Sequence, residues 1–348
     1  MRGGAKFFLN LALLALLSAC AALGGAQSRD PLQRPALNLP PEPASAFDNL
    51  PGWRSEPVLP GVREFAAGCQ SIADRSFAPA CEAARRASPA DEMAARDYLR
   101  AQFRPVSLGQ DRLTGYFEIS VSGTRTKDRD HLVPVLRTPP SPTQFSRGEI
   151  LAGALAGRGL EIAWLRSEAD LYWLHLQGSG RITLPNGAKV RVGTAAVNGR
   201  PQTGYSAMFN DLPIPGHDLS GPSVRAWGEA HPTEFHKYLS REPAYNFMRE
   251  TPSGAGELGP KGRFGRNLVS MLSVAVDPAT TRLGAMLWIN GSNPSSHRFL
   301  PHLVVAHDIG PAITGLARLD LYYGVGEEAE QAGGHQYAPA QVWALAPK

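Results

Sequence analysis

An excess of charge of either sign is missing from this 348-residue sequence. Lys and Arg number 35 against 31 Asp and Glu, a formal charge of +4. Arg2 and Lys6 belong to an N-terminal leader, and their loss with it leaves two charges fewer, +2. A near-neutral chain with both signs interspersed lacks a nucleic-acid footprint, so no nucleic-acid partner is expected. Cysteine is nearly absent, with three in the whole chain. A cysteine nucleophile would need a histidine partner, and the local sequence around these three suggests none. His307, Asp308 and His335 match no dense ligand motif, so the sequence points to no metal and no cofactor. No internal repeat is visible. The apolar stretch at the start, Phe7–Leu17, is too short for a stable spanning helix.

What is present begins with an address. A positive start at Arg2 and Lys6, the apolar Phe7–Leu17 and small residues in order describe a secretory signal peptide over 1–19. The tetrapeptide Leu17-Ser18-Ala19-Cys20 resembles a bacterial lipoprotein processing site, which would make Cys20 the lipidated first residue of the mature chain. Ala21 rather than Asp after it favours the periplasmic face of the outer membrane. In an exported, oxidising compartment, Cys69 and Cys81 are predicted to pair rather than remain two buried thiols.

From Ala21 to about Pro60 the chain carries eight prolines between Pro31 and Pro60. Such composition resists both helix and sheet and predicts an extended tether over 20–60. Helical periodicity follows at Val62–Ala67, Ala80–Arg86 and Ala90–Phe103, with Ser88 as a candidate N-cap of the third. Leu113–Val121 reads as a strand. Asp170–Gln177 alternates like a strand, which would place Trp173, His175 and Gln177 on one face. Arg181–Leu184 and Ala188–Val192, joined by Pro185-Asn186-Gly187, read as a hairpin. Helices are expected at Pro222–His231 and Thr233–Leu239, and extended chain at Pro243–Met248. The roughly 290 residues after the tether suit two domains. A Gly-, Pro- and Lys/Arg-rich shift near 251–265 marks a boundary.

Three aspartates near the C-terminus, Asp277, Asp308 and Asp320, each follow a short apolar or β-branched run of the kind that forms a buried strand. A carboxylate at a strand end beside a Gly-containing turn is a common catalytic or binding position, although such groups also cap turns. Asp277, followed by Pro278, suits the structural role.

The ordered set of Thr114-Gly115-Tyr116-Phe117-Glu118, His175-Leu176-Gln177-Gly178-Ser179-Gly180-Arg181-Ile182, Asn198-Gly199, Arg225-Ala226-Trp227, Glu242-Pro243-Ala244-Tyr245-Asn246-Phe247 and the three-aspartate module resembles the membrane-bound lytic transglycosylase A family of bacterial cell-wall enzymes. The resemblance covers about Leu113 to Trp343. It implies a mainly β, α+β fold: a double-psi β-barrel from 61–123 plus 249–348, a smaller β-domain inserted at 124–248, and a glycan groove between them. The implied reaction cleaves the β-1,4 MurNAc–GlcNAc bond of peptidoglycan without water and leaves 1,6-anhydroMurNAc ends. One carboxyl group serves first as acid and then as base. Asp320 matches the family's catalyst and Asp308 a supporting carboxylate. Tyr116, Phe117, Gln177, Gly178, Ser179 and Gly180 are expected to meet the substrate. The implied partners are glycan strands, a membrane through the lipid on Cys20, and a cell-wall enzyme complex around a monomeric protein.

Two other readings stand beside this one. Asp308 and Asp320 together could run a two-carboxylate glycoside hydrolase, or the groove could belong to a non-catalytic peptidoglycan-binding lipoprotein. The sequence departs from the family where Asn198-Gly199 runs on through Pro201 to Tyr205, and where Gly310-Pro311 replaces Gly-Gly.

Overall fold

The computed structural model describes residues 47–252, 258–294 and 303–348. The leader, Cys20 and the first part of the tether lie outside the described residues. Residues 47–60, expected to be extended tether, are instead packed. Phe47, Leu50, Trp53 and Val58 are buried. The Trp53 ring lies 5.5 Å from that of Trp288, and the guanidinium groups of Arg96 and Arg100 cover it at 5.3 and 5.5 Å. The prolines leave this segment largely irregular, but they do not prevent burial of the large apolar residues between them.

Three helices follow, α1 (Leu59–Gly68), α2 (Ala78–Ala87) and α3 (Glu92–Gln102). Ser88 does not cap α3. It closes α2 in the left-handed region at φ 37°, and the Asp91 side chain caps α3 by accepting from the Ala94 amide at 2.9 Å. The expectation placed the cap three residues early because Ser88-Pro89 is itself a good start signal. A disulfide joins Cys69, just past α1, to Cys81 on α2, with their Cα atoms 5.5 Å apart. The three helices bury Phe65, Phe77 and Tyr98 around Phe103, in a core shared with Met286, Trp288 and Val305.

The remaining elements in chain order are β1 (Phe103–Thr124), β2 (Val133–Leu136), α4 (Arg147–Leu151), β3 (Glu161–Leu165), α5 (Glu168–Gln177), β4 (Ser179–Thr183), β5 (Lys189–Val197) and α6 (Tyr205–Phe209). Next come α7 (Gly221–Ala230), α8 (Pro232–Leu239), β6 (Asn246–Glu250), β7 (Ser273–Val276), β8 (Met286–Asn290), β9 (Leu303–Ile309), β10 (Leu319–Val325), α9 (Glu327–Gly334) and β11 (Tyr337–Pro347).

Six strands close a barrel in the order β1-β11-β8-β9-β7-β10 and back to β1. Two of its pairings, β1 with β10 and β7 with β9, are parallel, and the other four are antiparallel. This is the double-psi barrel with added strands. Strand β1 is longer than the barrel needs. Its register slips between Tyr116 and Glu118, and past that bulge it runs parallel to β4 in a second sheet, β1-β4-β5-β6. A bulge of this kind bends a strand and redirects its later residues, so one strand serves two sheets.

The stretch Asp170–Gln177 is helical, not extended. The Ser167 side chain accepts from the Asp170 amide at 3.0 Å, and Gly178 ends α5 at φ 73°. Every residue from Ala169 to His175 is buried. A helix buried on all sides has no polar face, and its apolar run cannot be told from a strand by periodicity. The hairpin after it is formed by β4 and β5, with the Gly187 amide donating to the Leu184 carbonyl at 2.9 Å.

Candidate active site

Three cross-strand registers place the aspartates. Asp320 on β10 pairs with Thr114 on β1 and, on its other side, with Ala275 on β7. Ala275 in turn pairs with Asp308 on β9. Thr114, Asp320, Ala275 and Asp308 therefore form one row across four adjacent strands. The two aspartates are two strand spacings apart, about 10 Å between backbones, with only a methyl group between them. The β7–β9 bulge between Val274 and Ala275 brings Asp308 into that row and leaves His307 out of it. His307 is fully buried, bonded to Ser273 Oγ through Nδ1 at 2.8 Å and stacked on Phe264.

The row forms part of the floor of a groove of about 1050 Å³ whose opposite wall comes from α5, β5 and β6. Asp320 Oδ1 accepts a 2.5 Å hydrogen bond from Thr114 Oγ1. Burial raises the Asp320 carboxyl to about 6 from an ordinary 3.8, and Asp308 adds to the rise. The Thr114 hydrogen bond and the Arg318 charge pull the other way. Burial also raises Asp308, offset by its hydrogen bonds. Its Oδ1 accepts from the Arg263 amide at 2.9 Å, and its Oδ2 from Tyr116 Oη at 3.4 Å. Burial and both carboxylates hold the Tyr116 phenol well above its usual range, so it remains a donor. Tyr116 and Tyr322 lie side by side with ring centres 5.2 Å apart.

The residues expected to meet substrate divide between the groove and the core. Tyr116, Gln177, Gly178 and Ser179 line the groove. Gln177 Oε1 accepts from the Phe117 amide at 3.0 Å, joining α5 to the barrel strand. Phe117 is also among the lining residues. The residue is only 2% exposed and packs in the main core, so its ring offers the groove little surface. Gly180 does not line the groove. A Cβ there would lie 2.4 Å from Leu174 Cδ1 and 2.8 Å from Ile119 Cγ2, so this glycine admits the packing of β4 against α5 and β1. Asp277 lies away from the groove and binds the Ala279 and Gly315 amides at 2.8 and 2.9 Å, closing the turn that precedes β10.

Sequence reasoning gave no role to Thr114, although it opens one of the recognised motifs. It also missed the pairing of Glu118, a fully buried carboxylate. Glu118 accepts from Arg191 Nε at 2.6 Å, Arg191 Nη2 at 2.9 Å and Arg181 Nε at 3.0 Å. Both guanidinium groups also donate to the Leu258 carbonyl. This clamp ties β1 to β4 and β5 just beyond the bulge, which fixes one wall of the groove to the floor. Arg147 was missed as well. It is buried beneath the wall, where Nε donates to the Ala244 carbonyl at 2.8 Å and Nη2 lies 3.3 Å from His175 Nδ1. Its only sequence signal is its place after the Ser146 cap of α4.

Comparison with known proteins agrees with this architecture. Residues 141–249 match the MltA specific insert domain, and residues 272–346 match the 3D domain. The membrane-bound lytic murein transglycosylase A of Escherichia coli K12 is 29% identical over 248 residues, 69% of this chain and 66% of that protein. The chain thus aligns with just under two thirds of this relative's length. The Vibrio cholerae enzyme of the same name is 27% identical over 250 residues. Among solved structures, a membrane-bound lytic murein transglycosylase from Agrobacterium tumefaciens superposes with TM-score 0.76 at 25% identity, over 87% of this chain and 97% of that one. MltA from Neisseria gonorrhoeae gives 0.73 at 23%, over 90% and 97%. Escherichia coli MltA with bound chitohexaose gives 0.68 at 24%, over 89% and 93%. With the closed barrel, the matched insert and the matched C-terminal module, the chain belongs to the membrane-bound lytic murein transglycosylase A family.

Proposed function

We propose that the protein is a peptidoglycan lytic transglycosylase that cuts the β-1,4 bond between MurNAc and GlcNAc with Asp320 as its only acid–base catalyst. The observation that carries this reading is the unequal commitment of the two carboxylates. Asp308 spends one oxygen on a backbone amide and the other on Tyr116. Asp320 has one oxygen bonded to Thr114, and its Oδ2 has no hydrogen-bond partner among the described residues. A hydrolase needs a second carboxylate free to activate water or to attack the sugar. Here the second carboxylate serves to hold Tyr116 and to raise Asp320.

Near pH 7 a carboxyl with a pKa of about 6 is protonated roughly a tenth of the time, and closure of the groove by substrate favours that form further. Asp320 gives its Oδ2 proton to the glycosidic oxygen as the bond to the muramyl C1 breaks. The carboxylate then accepts the proton of the muramyl C6 hydroxyl while that oxygen bonds to C1. The leaving GlcNAc O4 carries the first proton, Asp320 ends protonated as it began, and no water is consumed. Tyr116 offers ring surface to the sugars beside the reacting bond, with the buried Tyr322 ring packed behind it, and Gln177, Gly178 and Ser179 face the strand from the opposite wall.

We assign 61–123 with 249–348 to the catalytic barrel and 124–248 to the opposing wall. Residues 1–19 are the leader, and Cys20 carries the lipid that holds the protein to the periplasmic face of the outer membrane. The deciding test is mass spectrometry of fragments released from purified peptidoglycan by the protein lacking Cys20. Muropeptides one water lighter than hydrolytic products, absent with Asp320→Asn, support the lyase. Products with intact reducing ends overturn it.

A further inference from the structure

Three cations of the groove have no ion-pair partner among the described residues, although Glu149 feels the charge of one of them, Arg200. Arg200 and Arg249 line the groove from the wall and Lys261 from the barrel side, all three exposed. None of their side chains has a hydrogen bond or ion pair among the described residues. The wall's own acids are already occupied. Glu250 is bonded to Arg125 at 2.9 Å and to Arg137 at 3.1 Å. Glu242 accepts from the amides of Thr203 and Ala244 at 2.9 and 2.8 Å.

A second observation, from the interior, points the same way. Arg147 is 3% exposed, its Nη1 has no hydrogen-bond partner, and no carboxylate lies within ion-pair distance of it among the described residues. Its neighbour His175 is neutral, because burial and the Arg147 charge both push the imidazole well below its usual range. A buried guanidinium does not deprotonate. Its field is weakly screened and extends into the adjoining groove. Desolvating this cation costs stability, which Glu242 and Glu168 offset in part without pairing with it, and an anion arriving in the groove offsets more. A neutral glycan would not.

We propose that the Arg200, Arg249 and Lys261 side chains, backed by the field of Arg147, select glycan strands by the carboxylates attached to their muramyl residues. The inference rests on the groove being a glycan site and deepens that reading. Free carboxylates on such strands have two sources, the peptide stems and, where a stem has been removed, the lactyl group itself. Three exposed cations from both sides of the groove suit substituents that project outward from a strand whose sugars lie on the floor.

The test is equilibrium binding to Asp320→Asn protein, which leaves strands uncut, with and without the combined changes Arg200→Gln, Arg249→Gln and Lys261→Gln. Three probes are compared: stem-bearing glycan fragments, fragments stripped by an amidase, and neutral chitohexaose. The triple change is expected to weaken stem-bearing fragments about tenfold at low salt, the scale of a few rim-exposed ion pairs. The loss should shrink as salt screens it, and chitohexaose should change less than about twofold. An equal loss for stripped fragments shows that the cations take either source, the stem carboxylates or the lactyl carboxylate freed by the amidase, and no loss there restricts the contact to the stems. No weakening of stem-bearing fragments, or equal weakening of chitohexaose, overturns the proposal. Failure of all three probes to bind overturns it together with the glycan groove. Hydrolytic products from the active enzyme would overturn the lyase and leave the carboxylate contact standing.

Discussion

Replacing Asp320 by Asn is expected to abolish turnover and to make the protein more stable. In the folded chain this carboxyl titrates at about 6 instead of 3.8. An acid whose pKa is raised on folding binds its proton more tightly in the native state. Its contribution to stability is therefore full below 3.8 and is lost as pH rises through 6. The shift of roughly two units amounts to about 3 kcal/mol of destabilisation at pH 7.5, falling to about 0.5 kcal/mol at pH 4. Asparagine has no charge to desolvate, and its side-chain oxygen can still accept from Thr114. Urea denaturation at the two pH values, with the disulfide intact, isolates the effect because only the wild-type carboxyl titrates. The stability advantage of the variant should be larger at pH 7.5 than at pH 4 by about 2.5 kcal/mol, read from midpoints at unchanged slope. An advantage that does not vary with pH would refute the raised native pKa, and with it the account of how Asp320 serves as an acid.

Three further outcomes follow from the same contacts. Thr114→Val removes the hydrogen bond that lowers the Asp320 pKa, so the alkaline limb of the pH–rate profile should move to higher pH while the maximal rate falls roughly tenfold; Thr114→Ser should restore both. Glu118→Gln leaves two guanidinium groups packed without their carboxylate, and thermal unfolding should report a loss of about 3–5 kcal/mol; full stability would show that the clamp is dispensable. Changing Cys69 and Cys81 together to Ser should cost about 2–4 kcal/mol, and a reducing agent should lower the unfolding temperature of the wild type but not of the double variant.

The legible parts of this chain were those whose signal is local. Strand β7 was readable from the short run Ser273–Val276, three of its four residues apolar, leading into Asp277, and the β4–β5 hairpin from its Asn-Gly turn. Helix α5 was not, because a segment buried on every side loses the polar face that distinguishes the 3.6-residue period. Trp53 was lost among prolines, whose composition says how the backbone is constrained but not what it covers. Most of the site is non-local. Asp320 stood out as a carboxylate after an apolar run, yet its partner Thr114 lies 206 positions earlier, and only the parallel register of β1 with β10 joins them. Tyr116 and Phe117 are adjacent and similar, but the pleat turns them to opposite faces, and only the sheet's place in the fold says which face meets the groove.

The participation of β1 in both sheets also governs when the site comes into being. Thr114 and Glu118 lie four residues apart on this strand. One waits for Asp320 on β10, while the other waits for arginines on β4 and β5. A chain that emerges from its N-terminus can build the Glu118 clamp first, but the row of Thr114, Asp320, Ala275 and Asp308 cannot form until nearly the last strand is present. Long-range parallel pairing of this kind is slow to nucleate. A chain that stops before β10 therefore has a wall but lacks Asp320, and topology denies it the row on which the proposed catalysis rests.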